Sequence, residues 1–385
     1  MDGAKPDVVI IGAGVVGAAC ALALARERLD VLILDGEFPG GGTTAAAMGH
    51  LVVMDDSPAQ LALTVYSRGL WDEMADAMPS DCEYEVRGTL WIAEGDSELA
   101  AAAAKQRVYA CQGVSSSVVD EAELARLEPA LRRGLAGALF VPGDAVLYPP
   151  NAARWLVARA VEHGAVLRER CAAEEIGPGW VRVRSESGGV ATISTGAVVN
   201  AAGIDAPRLT PGVPVIPRKG HLVITDRYPG LCRSQLVELG YLQSAHTFTG
   251  ESVAFNVQPR ATGQLLIGSS RELVGRDASV NGAVLRSMIR RAVKFIPGLA
   301  RCEAIRIWTG FRPATPDKLP LIGRWEGMDH LWIAAGHEGL GITTAPGTAA
   351  LIAADILHRT PPIDPDPFYP GRAMPAMHGA SAAEP

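Results

Sequence analysis

Apolar positions recur along this chain with two different spacings. The run 8–11 (VVII) is apolar throughout and ends at a glycine, which predicts a short buried strand; an alanine-rich stretch of helical period follows, and then a second apolar run, 31–34. Helical spacing returns at Leu61, Val65, Leu70 and Met74 within 58–78 and stops at Pro79, and an alanine-rich helix is expected over 97–112. Residues 84–93 read as a strand and 124–131 as a short helix. The stretch 137–169 reads as strand, turn and helix, the helix running from 151 to 162 with Asn151 as N-cap and Gly164 as C-cap. Strands 181–184 and 190–194 form a hairpin around Ser187, Gly188 and Gly189, and 197–200 is another buried strand. From 211 to 307 the period becomes two, the mark of antiparallel structure, with one helix at 283–295. A strand at 331–334 leads into a helix starting near Thr343. The proline- and alanine-rich tail from Thr360 is expected to pack loosely or fray.

The segments 1–80, 137–210 and 308–360 read together as a discontinuous α/β unit of Rossmann-like type. It is interleaved with a mainly antiparallel β unit, 81–136 and 211–307, and followed by a tail, 361–385; helix 151–162 is the crossover returning to the first sheet. Composition narrows the function classes. Across 385 residues, 35 Lys+Arg face 42 Asp+Glu with no basic run, so no nucleic-acid partner is expected. The six cysteines are scattered without a CxxC or Cys/His cluster, which argues against a metal site or a disulfide framework. The apolar stretch 8–25 is broken by glycine, leaves no room for a secretory signal before it, and is not a transmembrane segment, so a cytoplasmic protein is expected.

Chemistry enters at the glycines. Gly12, Gly14 and Gly17 follow the first strand at the dinucleotide-fingerprint spacing: one for a tight turn, one for close approach of a pyrophosphate, one for helix–strand packing. Val15 and Val16 open the helix whose N-terminus would face the phosphates, and Asp35 ends the second strand where an acid binds ribose hydroxyls and repels a 2′-phosphate. A loop through Gly40 to Gly42 follows, with Thr43 and Thr44 expected to cap the next helix, and then His50. The small residues Ala201, Ala202 and Gly203 end a strand where backbone can pass close to a ligand. A second glycine-rich turn, His337 to Gly341, precedes the late helix and presents another helix N-terminus to anionic character.

Taken in order, VVIIGAGVVG with Asp35, GGTTAAAMG, VVNAAG, GFRPATPDKLPLIG and AAGHEGLGITTAPGTA resemble the FAD-dependent D-amino-acid oxidase-like family of glycine oxidases, sarcosine oxidases and D-amino-acid dehydrogenases, over 7–358. The segments MGHLVVMDDSPAQLAL, GTLWIA, PRKGHLVITD and FNVQPRATGQLLIGSSRE are most similar to bacterial D-hydroxyproline dehydrogenases. The resemblance implies an α/β FAD-binding domain and a β-rich substrate domain, with non-covalent FAD. Gly12, Gly14, Gly17 and Asp35 match its ADP-binding motif, and Gly42, Thr43, Thr44 and Ala45 its pyrophosphate loop. Met48, Gly49 and His50 lie where the family's chain passes the flavin; Gly339, Leu340, Gly341 and Ile342 match the turn at the flavin pyrimidine edge. Arg312 matches the arginine that clamps the substrate carboxylate, and Asn256 stands where glycine oxidase has a tyrosine. That change, with Glu338-Gly339 in the late turn, demotes glycine and sarcosine as substrates.

The implied reaction is hydride transfer from the α-carbon of a D-amino or cyclic imino acid to flavin N5, with cis-4-hydroxy-D-proline to 1-pyrroline-4-hydroxy-2-carboxylate as the first choice. His50, His337 or Glu338 would take the amine proton, or solvent would. The alternatives are another D-amino-acid, glycine or sarcosine oxidase, and an FAD-binding subunit of a multi-subunit dehydrogenase. Oxygen, a quinone or a partner protein would accept the electrons, and a homo- or hetero-oligomer is compatible with all of these. Lys219, His221 and Lys318 are expected to be solvated.

Overall fold

The computed structural model describes residues 5–54, 56–240 and 252–375, and in it the two spacings sort into two large sheets. The first begins with β1 (Val8–Ile11) and β2 (Val31–Leu34), buried parallel neighbours joined by α1 (Val15–Arg26). Gly12 turns the chain at φ +100°, and a Cβ there would meet the Ala201 carbonyl oxygen at 2.6 Å. A Cβ on Gly17 would overlap the Gly12 carbonyl oxygen, so α1 crosses β1 at a distance that only glycine permits. The chain continues through α2 (Gly42–Ala45), the short β3 (His50–Leu51) and α3 (Pro58–Met74), whose N-cap Ser57 accepts from the Gln60 amide.

The strand expected over 84–93 is two strands. Gly88 adopts φ +68° between them, so β4 (Glu85–Val86) and β5 (Thr89–Ala93) enter different sheets. After α4 (Asp96–Cys111) and β6 (Ser117–Asp120), α5 (Glu121–Leu127) starts and stops earlier than expected. Asp120 caps it by accepting from the Glu123 amide, and Glu128, which precedes Pro129, leaves the helical region at ψ 80°.

The unit boundary expected at 137 is displaced. β7 (Gly137–Val141) pairs with both β5 and β6 in the larger sheet, and the chain returns to the first sheet only after β8 (Ala145–Val146), a partner of β3 and β4. α6 (Pro149–Glu162) then makes the expected crossover into β9 (Val166–Arg168), parallel to β2. Its N-cap is Tyr148 and not Asn151, because Pro149 and Pro150 fill the first helical positions, where no amide hydrogen is needed. β10 (Cys171–Gly177), β11 (Trp180–Ser185) and β12 (Val190–Ser194) form a small antiparallel sheet that includes the expected hairpin. β13 (Ala197–Asn200) then lies parallel to β1 on the side away from β2, and the one-turn α7 (Ala206–Leu209) follows.

The long antiparallel stretch supplies β14 (Ile216–Thr225), β15 (Gln235–Glu238), β16 (Ser252–Pro259) and β17 (Leu265–Arg271). α8 (Gly282–Phe295) packs on them, with Phe255 and Phe295 stacked at 4.3 Å, and β18 (Ala304–Ala314) completes the series. The order is β18-β14-β17-β16-β15-β5-β7-β6, antiparallel except for the β15–β5 pair. β18 is one ladder from Ala304 to Ala314 against β14, so the boundary expected at 308 falls beyond 314. β19 (Leu321–Arg324), β20 (Leu331–Ala335) and α9 (Gly341–Ile356) finish the first sheet in the order β19-β20-β13-β1-β2-β9.

The tail is more fixed than its composition implies. Phe368 is buried and Arg372 pairs with Asp317 at 2.7 Å, which holds the chain to the first sheet; 376–385, and 241–251 within the second unit, lie outside the described residues. Among the described residues no helix is long and apolar enough to cross a membrane.

Candidate active site between the two sheets

A cavity of about 590 Å³ runs from the Gly12–Gly14 turn and Asp35 at one end to Arg312, Asn256 and Ser269 at the other. At the first end, α1 presents its N-terminus with no acidic residue in its first turn. The Asp35 carboxylate is oriented by two backbone amides, Ala13 N–H on Oδ2 at 2.7 Å and Glu37 N–H on Oδ1 at 2.8 Å. A second lone pair remains on each oxygen for a hydroxyl. Thr43 and Thr44 sit inside α2 and do not cap it; Gly41 does. Thr44 Oγ1 accepts instead from Val15 N–H at 3.1 Å, capping α1, while Thr43 Oγ1 donates to the Phe311 carbonyl at 2.8 Å. These two hydroxyls fasten the glycine-rich loop to both sheets.

Most of the expected cofactor residues converge here. Val15, Val16, Gly42, Met48 and Gly49 line one wall; Ala202, Gly203, Gly339, Gly341 and Ile342 line the other. Three do not reach it. Gly17 lies beneath α1 in its packing role, Ala45 is exposed, and Leu340 packs against the cluster that contains Val53 and Leu61.

At the far end, Thr343 in the first turn of α9 donates to the His50 carbonyl at 3.0 Å and accepts from Val52 N–H at 3.2 Å, which sets His50 beside that helix N-terminus. His50 faces the cavity, but its Nε2 is buried without a hydrogen-bond partner, and burial pushes its pKa down to about 3. His337 Nε2 is bonded to Thr348 Oγ1 at 2.9 Å, and burial likewise lowers it to about 3. Its ring holds α9, and so weak a base is poorly matched to taking a proton at neutral pH.

Glu338 is also unsuited to that role. It stands at φ +48°, a left-handed conformation rarely adopted by a non-glycine residue. Its amide donates to the Pro313 carbonyl at 2.8 Å, and Oε2 accepts from Gly339 N–H at 2.6 Å. Oε1 faces Arg218 at 3.3 Å and Arg271 at 3.9 Å. Burial raises its pKa, but the guanidiniums of Arg271, Arg312 and Arg218 outweigh burial and hold the carboxyl below its ordinary value. An acid kept ionised by three arginines is a structural anion.

Arg312 lies on β18 directly across from Arg218 on β14, with Gly310 opposite Gly220. Cross-strand partners share a face, so Arg312, Gly220 and Gly310 address the cavity together. The guanidinium donates from Nη1 to the Ser270 carbonyl on β17 at 3.0 Å. Asn256 is buried on β16 with its Oδ1 unpartnered, and Ser269, also buried, has an unpartnered Oγ. Neither Ser269 nor Gly220 stands out in the sequence; only the sheet order brings them to Arg312. Arg218 and Arg271 carry no spacing signal either, being on separate strands.

Three basic side chains expected in solvent are elsewhere. Lys219 and His221 are buried on the face of β14 opposite Gly220, Lys219 near Glu272 at 3.5 Å and His221 bonded to Ser270 Oγ at 2.9 Å. Lys318 is partly buried, and that burial lowers its pKa.

His337 makes a test of the burial argument. Between its folded pKa near 3 and its ordinary value of 6.5, the unfolded chain holds a proton that the folded chain does not. Stability from this group is therefore lost as pH falls below about 6.5, with a limiting slope of about 1.4 kcal/mol per pH unit. His337→Gln, which keeps a polar group near Thr348, is expected to lose less melting temperature than the wild type between pH 7 and pH 5. Identical losses would show that His337 is charged in the fold.

The donor set fits FAD. Glycine lets a pyrophosphate approach two helix N-termini with no acidic residue in their first turns, Asp35 has free acceptor capacity for a ribose, and the orphaned His50 Nε2 lies along the path between. Comparison with known proteins agrees. The family model described as DAO, FAD dependent oxidoreductase, matches residues 7–355. Glycine oxidase of Geobacillus kaustophilus is 30% identical, over 94% of this chain and 96% of that protein. The hydrogen cyanide synthase subunit HcnC of Pseudomonas aeruginosa is 27% identical over 98% of each. The crystal structure of the Geobacillus kaustophilus glycine oxidase superposes with a TM-score of 0.85, at 27% identity, over 96% of this chain and 99% of that one.

Proposed function

The chain belongs to the DAO family of FAD-dependent oxidoreductases, which makes it an FAD enzyme acting on amino acids, and on that footing we propose that its substrate is a D-amino or cyclic imino acid, cis-4-hydroxy-D-proline first among them. The observation that carries the reading is Arg312 at the end of the cavity, facing a wall that holds the orphaned Asn256 Oδ1 and Ser269 Oγ. A carboxylate on Arg312 makes charge-assisted hydrogen bonds, and a substrate hydroxyl or amine meets the unpartnered polar atoms opposite. Glycine offers only its amine to that wall; a hydroxylated ring offers more.

Bound FAD supplies the acceptor for the two electrons and the hydrogen of the substrate Cα–H bond. The chain's own part is to orient. Arg312 fixes which face of the α-carbon is presented, and the N-terminus of α9 places positive potential at the cavity's far end. With His50 and His337 held near pKa 3 and Glu338 kept ionised by arginines, the amine proton passes to solvent. Non-covalent FAD accords with the absence of any cysteine among the described lining residues.

The test is anaerobic mixing of the purified yellow protein with cis-4-hydroxy-D-proline, D-proline, sarcosine and glycine. Bleaching of the flavin fastest with the first supports the reading, and bleaching fastest with glycine or sarcosine replaces it with the glycine oxidase alternative, which the 30% identity to that enzyme favours. No bleaching with any of them favours a subunit role, for which the likeness to a hydrogen cyanide synthase subunit speaks. Repeating the turnover with oxygen and with a quinone identifies the electron acceptor.

A further inference from the structure

The Arg312 guanidinium bonds past the strand its backbone is paired with. In the order β18-β14-β17 it reaches over β14 to a carbonyl on β17, and two arrangements permit this. Gly220 leaves the crossing open: a Cβ there would overlap Nη1 and come within 2.9 Å of both Nη2 and the Ser270 oxygen. The second arrangement lies in the ladder.

Lys219 and Glu272 exchange both backbone hydrogen bonds, at 2.9 and 3.0 Å. In a regular antiparallel ladder the next such pair would be His221 and Ser270, with His221 N–H donating to the Ser270 carbonyl. Instead His221 N–H donates to Ser270 Oγ at 2.9 Å. The imidazole adds a second bond to the same oxygen, Nδ1 to Oγ at 2.9 Å, and its tautomer is set because Nε2 accepts from Asn281 N–H at 2.9 Å. Ser270 is fully buried, so its carbonyl needs a donor, and Arg312 is that donor.

We propose that Ser270 is a positioning residue for substrate binding: its hydroxyl takes the ladder bond its own carbonyl would otherwise accept, which leaves the carbonyl to hold Arg312. His221 fixes the hydroxyl and Gly220 provides the crossing. This rests on the reading that Arg312 binds the substrate carboxylate.

The experiment uses the FAD-loaded protein and propionate, a carboxylate with no amine to oxidise, whose binding is followed by the flavin absorbance. Ser270→Ala and the near-isosteric Ser270→Cys are expected to raise the propionate Kd and the substrate KM together, about tenfold, with kcat changed less than about twofold. Ser270→Thr, which keeps the hydroxyl, is expected to restore both. In an Arg312→Ala background, Ser270→Ala is expected to add nothing. Unchanged Kd in both Ser270→Ala and Ser270→Cys would overturn the proposal, as would an undiminished effect of Ser270→Ala without Arg312. If Arg312→Ala alone leaves the Kd unaltered, the carboxylate reading itself fails; if it weakens propionate and the Ser270 variants do not, only the positioning role fails.

Discussion

Arg312→Ala is expected to raise the KM for substrate by roughly 100-fold, the value of one to two charge-assisted hydrogen bonds, while the protein stays yellow. On the proposed reading the guanidinium would meet the substrate carboxylate equally in the ground and transition states, so the loss is expected to fall on KM more than on kcat. FAD is expected to be retained because the Gly12–Gly14 turn and Asp35, which would hold its ADP end, lie at the opposite end of the cavity. Arg312→Lys keeps the charge but not the planar fork, and is expected to recover only part of the loss. Steady-state kinetics beside the flavin spectrum check this; a KM within about threefold of wild type would take Arg312 out of the site.

Gly17→Ala is expected to yield protein that purifies without FAD. The added carbon would overlap the Gly12 carbonyl oxygen and lie 3.3 Å from Ala201 Cβ, both parts of the fixed strand ends, so α1 must move off β1 and carry its N-terminus away from the phosphates. Overpacking of this kind costs about 1–3 kcal/mol or more, enough to weaken FAD by roughly 100-fold and to yield colourless protein. Gly69→Ala, inside α3 and away from the cavity, is the control: a Cβ there would have nothing within 4 Å. A Gly17→Ala protein that purifies with a full complement of FAD would show that α1 can shift without loss of the site.

What the sequence made legible was local. The fingerprint glycines, Asp35 and the turn into α9 each act within one strand–turn–helix, so their spacing was enough to place them. Sheet membership was not local: β7 and residues 308–314 were read with the first sheet, because nothing in GALFV or WTGFRPA says which distant strand will pair with it. The same limit governs the proton chemistry. His337 is tied by Thr348 and Glu338 by arginines from β14 and β17, partners that no spacing reveals. Thr44 was recognised as a capping residue, yet the helix it caps begins at Val15, across the cavity mouth.

The placement of β1 at the centre of its sheet governs how the polypeptide reaches this state. Val8 pairs with Val31 on one side and Ala197 on the other, Val198 pairs in turn with Leu331, and α1 packs between α6 and α9. An element of residues 8–26 is therefore enclosed only when one of residues 341–356 arrives. Such non-local pairing makes for slow folding, and a nascent chain released or cleaved before α9 displays the buried apolar flank of α1 that this helix covers. Premature termination anywhere ahead of that helix is expected to yield an aggregating product.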